Sequence, residues 1–300
     1  MATFVKFWGT RGSLPTPSSW TRVYGGNTAC VEIRFNDTLF ICDAGSGIRE
    51  LGKDLMTRNP RPTDIHLLLT HAHWDHIQGF PFFVPAYLTT SRIHVYSPTA
   101  GDRSRHDLLS GQMTSAHFPV SFKDLGAQIL SDDLGADGKE IGGVTVRSFE
   151  LNHPGGCFGY AFEQGGCKIV YATDNELKLQ PGDAFPDPGH LGPPRKAPPA
   201  LIEVARGADL LIADAQYDDS QYASKKGWGH SSCSSVTDLG TQAAVKNLAL
   251  FHHDPESADF DIDAMVKSCR QRAAKRGTAM IIFAAREGVE LKFEPATSVR

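Results

Sequence analysis

The chain reads as an α/β fold in which helices cover β-sheets. Three observations predict it: short apolar runs of strand length recur from end to end, longer amphipathic stretches interrupt them, and no internal repeat is visible. Phe4–Trp8 alternates around Lys6, Cys30–Phe35 alternates as Val31, Ile33 and Phe35, and Leu39–Cys42 is apolar throughout, each bounded by Gly, Asn or Asp turn residues. An amphipathic helix follows over Gly47–Arg58, and Ile65–Leu69 is an apolar run suited to a buried strand. Further strands are predicted at Ile93–Tyr96, Val144–Phe149, Gly159–Phe162, Lys168–Ala172, Leu210–Ala213, Leu248–Phe251, Met280–Ala284 and Val289–Phe293. Two more helices are predicted, over Ser232–Asn247 and over Asp261–Arg276, where Ile262, Met265, Val266 and Cys269 follow the i, i+3, i+4, i+7 spacing.

Two segments fit neither period. Residues 101–130 lack clean periodicity, and 181–199 carry seven prolines, each of which removes a backbone donor and fixes φ. The second is predicted to be a stiff surface loop and a candidate border of an active site, since loops of this length in compact domains are usually functional or disordered.

A length of 300 residues permits one large domain, 1–300. The net charge of −4 and isoelectric point near 6.3 give no general attraction to phosphate backbones, so large nucleic acid is not expected as a partner. Six cysteines without paired spacing fit reduced, buried thiols better than a disulfide framework. Neither a targeting segment at Met1–Gly9 nor an apolar stretch long enough to span a bilayer is seen, so a cytoplasmic protein without membrane contact is expected, a homodimer being left open.

The densest chemistry lies at Thr70-His71-Ala72-His73-Trp74-Asp75-His76, directly after a strand. His71 and His73, two apart in extended chain, point the same way and can grip one ion. Asp75 and His76 follow after a turn, and this mixture of imidazole and carboxylate suits zinc, manganese or iron. His153, Asp174 and His252 each sit just past a predicted strand, the position where α/β folds present ligands.

The ordered set His71-x-His73-x-Asp75-His76, His153, Asp174, His252 resembles the signature of the metallo-β-lactamase fold superfamily over nearly the whole chain. That resemblance implies a four-layer αββα sandwich with metals at the sheet edge. It implies two divalent cations, zinc by default with manganese or iron as options: one held by His71, His73 and His153, the other by Asp75, His76 and His252, with Asp174 bridging. Asp43, opening Asp43-Ala44-Gly45-Ser46-Gly47, corresponds to an acid that steadies the metal loop. His252 is preferred to His253 because the family histidine falls about two residues beyond the last aliphatic residue of its strand.

Such a centre implies hydrolysis by a hydroxide shared between the cations, with the bond cleaved left open. Three relatives fit poorly. Those that destroy β-lactams lack an acid at the bridging position and are exported; flavodiiron reductases have an acid where His73 stands and a flavin domain; tRNA 3′ processing relatives insert an RNA-gripping arm where His153 and Asp174 are only 21 positions apart. Gly229-His230-Ser231-Ser232, following Ala213-Asp214, partly resembles paired motifs of the phosphodiesterase branch, with Ala213 in place of a histidine and Asp214 in place of a glutamate. Asp214 is then expected to orient His230, which donates a proton to the leaving alkoxide; otherwise His230 merely caps the following helix. Arg11, in Trp8-Gly9-Thr10-Arg11-Gly12-Ser13, and His117 are candidates for substrate contact. The leading expectation is a dinuclear metal hydrolase acting on a small phosphodiester such as a cyclic nucleotide or cyclic sugar phosphate. A carboxylic ester, lactone or thioester hydrolase is the alternative, ahead of a non-catalytic metal-binding module.

Overall fold

A computed structural model of the chain describes residues 2–97, 105–135, 137–178 and 193–294. One sheet contains β1 (Thr3–Gly9), β2 (Cys30–Phe35), β3 (Thr38–Cys42), β4 (Asp64–Leu68), β5 (Arg92–Tyr96) and β6 (Gln128–Asp132). The other contains β7 (Lys139–Ile141), β8 (Val144–Leu151), β9 (Cys157–Gln164), β10 (Cys167–Ala172), β11 (Leu210–Asp214), β12 (Asn247–Phe251) and β13 (Ile281–Ala284), after which β14 (Glu290–Phe293) returns to the edge of the first. Among the described residues each sheet has seven strands, ordered β14-β1-β2-β3-β4-β5-β6 and β13-β12-β11-β10-β9-β8-β7. Each opens with antiparallel hairpins and then turns parallel, from β3 onward in one and from β10 onward in the other.

The alternation of side chains along a strand decides the layers. Ile169 and Tyr171 of β10 face inward, meeting Val5, Ile33 and Phe40 of the first sheet in a core between the sheets. Val170, on the opposite face, packs under helices with Leu211, Leu248 and Leu250. Those helices are α4 (Pro199–Ala205), α6 (Cys233–Gln242) and α7 (Asp259–Lys275), which supply Leu201, Val236, Leu239, Ile262 and Met265, while α2 (Trp74–Ile77), α3 (Arg105–Ser110) and α5 (Asp219–Ser224) are shorter. Helix α1 (Ile48–Thr57) covers the first sheet with Ile48, Leu51 and Leu55 against Ile41, Leu67 and Ile93. Three stacked cores between four layers are the αββα sandwich expected. All six cysteines are free and buried. No helix among the described residues is long and apolar enough to cross a membrane.

Three local expectations need correction. Residues 101–130 are not irregular throughout: they contain a helix at Arg105–Ser110, a 3-10 turn at Phe122–Asp124 and the start of β6, whose half-buried edge position gave no alternating pattern. The helix predicted to reach Asn247 stops at Gln242, where Ala244 at φ 51° turns the chain into β12. The Pro-rich loop also ends earlier, because Pro199 occupies the first turn of α4, where its missing N–H costs nothing. Residues 181–192 of that loop lie outside the described residues, but Arg195 is pinned beneath α6, its N–H donating to Asp238 and its guanidinium to Asp219, Ser232 and Ser235.

Candidate metal centre

The carboxyl ends of β3, β4, β10, β11 and β12 converge on one edge of the sandwich, where Asp43, Thr70, Asp174 and His252 follow in loops and Asp214 is the last residue of β11. Three of the acceptors and ligand candidates sit in left-handed backbone: Asp43 at φ 62°, Asp174 at φ 52° and His252 at φ 61°. For non-glycine residues that conformation costs on the order of 1–2 kcal/mol each, and strain of this kind gathers at functional sites. Its effect here is to turn each side chain inward at the point where its strand stops.

The histidine loop is built from Asp43 outward. One oxygen of the fully buried carboxylate accepts the Thr70 N–H at 2.8 Å; the other accepts from Tyr171 Oη and His76 Nδ1, each at 2.9 Å. His76 and Asp75 lie on a single helical turn, Trp74–Ile77, and Ser13 N–H holds Asp75 Oδ2 at 2.7 Å. With its Nδ1 given to Asp43, His76 turns Nε2 to the interior.

Two clusters result, sharing Asp174. His71, His73, His153 and Asp174 form one, and Asp75, His76, His252 and Asp174 the other. In the first, His153 Nε2 is 3.1 Å from His73 Nδ1, and Asp174 Oδ2 is 3.5 Å from His71 Nε2 and 3.7 Å from His153 Nε2. In the second, His252 Nε2 is 3.1 Å from Asp75 Oδ2 and 3.2 Å from Asp174 Oδ1, while His76 Nε2 is 3.1 Å from Asp174 Oδ1. His153 Nδ1 donates to Gly229 O at 2.9 Å, which aims Nε2 inward. His253 does not enter: its Nε2 donates to Ala285 O at 2.9 Å, and burial presses its pKa down to about 3.

The charges suit cations. Burial opposes charge on every group, but the surrounding imidazoles hold Asp174 and Asp75 well below the usual carboxylate range, so both stay anionic. Burial and the neighbouring His76 hold His71 well below the usual imidazole value, leaving it neutral with a free lone pair. Buried His71 Nε2 has no hydrogen-bond partner, an orphan that a cation would satisfy. Imidazole nitrogens with carboxylate oxygens form a donor set for divalent metals, zinc above all, and the residues fit that group.

His230 stands against both clusters. Its ring lies 5.1 Å from His153 and 5.0 Å, stacked, from His252, and with Asp214, Asp174 and His252 it forms a third converging group. Asp214 Oδ2 receives His230 Nδ1 at 2.7 Å and the Asn175 N–H at 3.1 Å. Burial lowers the His230 pKa, but the Asp214 carboxylate outweighs it and pushes the value up to about 9. The helix cap is Ser232, whose side chain accepts from Ser235 N–H, so His230 does not serve as one.

The two substrate candidates are not brought to the centre. Arg11 is fully buried, with Nε donating to Gly25 O and Nη1 to Asp254 O and Ser257 O, and so clamps two loops together. His117 lies exposed in a turn whose N–H donates to Thr114 O, and belongs to none of the three groups among the described residues.

Gly12 lies in the Gly9–Gly12 turn whose glycines the family resemblance implies approach the metals closely, whereas Gly229 and Glu176, which also pack the ligands, were missed by sequence reasoning. A Cβ at Gly12 would stand 2.4 Å from the His252 ring, and one at Gly229, at φ 90°, would stand 2.3 Å from His153 Nδ1. Buried Glu176 accepts from Tyr222 Oη, Gly227 N–H and Gly229 N–H, and so fixes the loop that carries both the His153 acceptor and His230. Glycine next to His230 was the available signal.

The fold and the shared-carboxylate clusters define a metal-dependent hydrolase. Residues 38–253, more than half of the chain, match the family model described as "Beta-lactamase superfamily domain", and the protein belongs to that family. It is similar to a ribonuclease Z of Agathobacter rectalis, 25% identical over 284 residues covering 84% of this chain and 88% of the relative. A diphosphatase from the PhnP family superposes with a TM-score of 0.67 at 18% identity, covering 98% of both chains. Unliganded yeast PDE1 superposes with a TM-score of 0.64 at 14% identity over 97% of this chain and 99% of its own.

The ribonuclease Z match overturns one expectation, that large nucleic acid is no partner. The β9–β10 connection between His153 and Asp174 is indeed a two-residue turn at Gly165 and Gly166. One short hairpin and a chain-wide charge describe neither the rest of the surface nor its local potential, so they carry no such exclusion.

Proposed function

We propose that this protein hydrolyses phosphodiesters, with His71, His73 and His153 holding one divalent cation, Asp75, His76 and His252 a second, and Asp174 shared. Zinc is the default occupant of both. Bound there, such cations would lower the pKa of a water and polarise a phosphoryl oxygen. The chain's own residues do the rest. Asp214 fixes the His230 ring through Nδ1, and the proton on Nε2 is donated to the departing alkoxide. The 2.7 Å Asp214–His230 pair packed against the ligand cluster carries this reading, because a poor alkoxide leaving group needs an acid there.

A small phosphodiester, such as a cyclic nucleotide or cyclic sugar phosphate, is the first reading of substrate; an RNA phosphodiester is the second, favoured by relatives named ribonuclease Z. The buried free thiols suit the reducing cytoplasm. The test is His230→Ala assayed on alkyl and on p-nitrophenyl phosphodiesters. Removing a general acid lowers kcat by about 10²- to 10⁴-fold for the alkyl substrate and far less for the activated one. Equal turnover of the alkyl substrate by both proteins refutes the role of His230. Esters, lactones and thioesters in the same panel decide against phosphodiesters if they are preferred.

A further inference from the structure

A cavity of about 620 Å3 is walled by residues from 15–21 and from 255–261. Both walls leave the centre directly: Ser13 N–H holds Asp75, and Pro255 follows His252 by three residues. At about 3.5 Å per residue, the walls begin within roughly 7 to 11 Å of the clusters. Trp20 and Phe260 line the cavity with 67% and 63% of their surfaces open, although aromatic rings ordinarily find cover. Ser257, only 4% exposed, also lines it, and its hydroxyl has no partner; neither has the Thr16 hydroxyl. Arg11, bonded to Ser257 O through Nη1, leaves Nη2 unpartnered nearby. The unpartnered Thr16 and Ser257 hydroxyls on the cavity lining call for a hydrogen-bonding ligand or ordered water.

The lining also says which ligand. Carboxylates of Glu256 and Asp261 repel phosphate, so the phosphoryl group belongs at the metal clusters and the cavity takes a neutral part of the same molecule. Exposed aromatic walls stack a planar ring, while hydroxyls and carboxylates match ring N–H, keto and exocyclic amine groups. We propose that this cavity is the nucleobase subsite, with Trp20 and Phe260 stacking on the base and Ser257 hydrogen-bonding its edge. It rests on the phosphodiesterase reading, and the base comes from a mononucleotide or from the end of an RNA strand.

The experiment has two readouts. Adenosine, which has no phosphate, is titrated calorimetrically into wild type, Trp20→Ala, Phe260→Ala and Ser257→Ala; the aromatic sites are exposed and the serine hydroxyl is unbonded, so the fold tolerates all three. Separately, kcat/KM is measured for 2′,3′-cyclic AMP and for a single-stranded oligoadenylate, each relative to a glycerol-based dialkyl phosphodiester. Loss of one stacking partner raises the adenosine Kd by about tenfold and lowers the nucleotide preference by a similar factor. The substrate whose preference falls identifies the source of the base. Failure of wild type to bind adenosine, equal binding by all four proteins, or an unchanged preference overturns the subsite. Adenosine binding without hydrolysis of any phosphodiester keeps the cavity and removes the activity; hydrolysis without adenosine binding does the reverse.

Discussion

Asp43→Asn isolates how a residue that touches no cation governs the centre. Its carboxylate accepts four donor groups: the Thr70 N–H and hydroxyl, Tyr171 Oη–H and His76 Nδ1–H. A carboxamide keeps one acceptor and brings two N–H groups. Placed toward Thr70, the NH2 meets a backbone donor that cannot reverse, leaving a buried clash of donors that costs about 1–3 kcal/mol. Placed toward His76, it forces Nδ1 to accept and moves the ring proton to Nε2, the atom 3.1 Å from Asp174, so the nitrogen loses its ligand lone pair. Either way the second cluster weakens, by about 10- to 100-fold in metal affinity for this kind of supporting contact. The assay is a zinc titration against a competing chelator, with thermal unfolding in excess chelator as a control. There the variant should melt roughly 2 to 6 °C lower. Unchanged zinc affinity together with an unchanged melting temperature would refute the reasoning.

Gly229→Ala should lower metal content at the first cluster and the melting temperature together, since its Cβ would collide with His153 at 2.3 Å in backbone that disfavours side chains; full metal occupancy would show that the loop yields freely. His253 gives a pH prediction. Its folded pKa, near 3, lies below the ordinary 6.5, so the unfolded chain binds the extra proton between those values and stability falls as pH drops through that window. The contribution from pH 7 to pH 5 is about 2 kcal/mol. Chemical denaturation of wild type and His253→Gln should give a shallower slope for the variant; parallel slopes would contradict a buried neutral ring.

Strand runs and the long C-terminal helix were legible because they depend on neighbours two to four residues away, and their edges moved by one or two residues at most. The half-exposed strand β6 was not, since an edge strand lacks one buried face to mark its period. At the centre, ligand types just past apolar runs were enough to nominate seven residues, all of which the two clusters contain. The choice between substrate contact and a structural role for Arg11 could not be made from its glycine-rich turn, because its Nη1 acceptors lie 243 and 246 positions away.

Short-range pattern therefore specified the strands, the long helices and the ligand types, because alternation, turn residues and donor chemistry are written locally, whereas the two-sheet sandwich was implied only by the family resemblance. Which histidine faces inward at His252–His253, which nitrogen of each ring is free, and which distant carbonyls Arg11 Nη1 reaches were settled only by the assembled fold. Those outcomes depend on contacts such as Asp43 with Tyr171 and Glu176 with Gly229, between segments that become neighbours only after the sheets have packed.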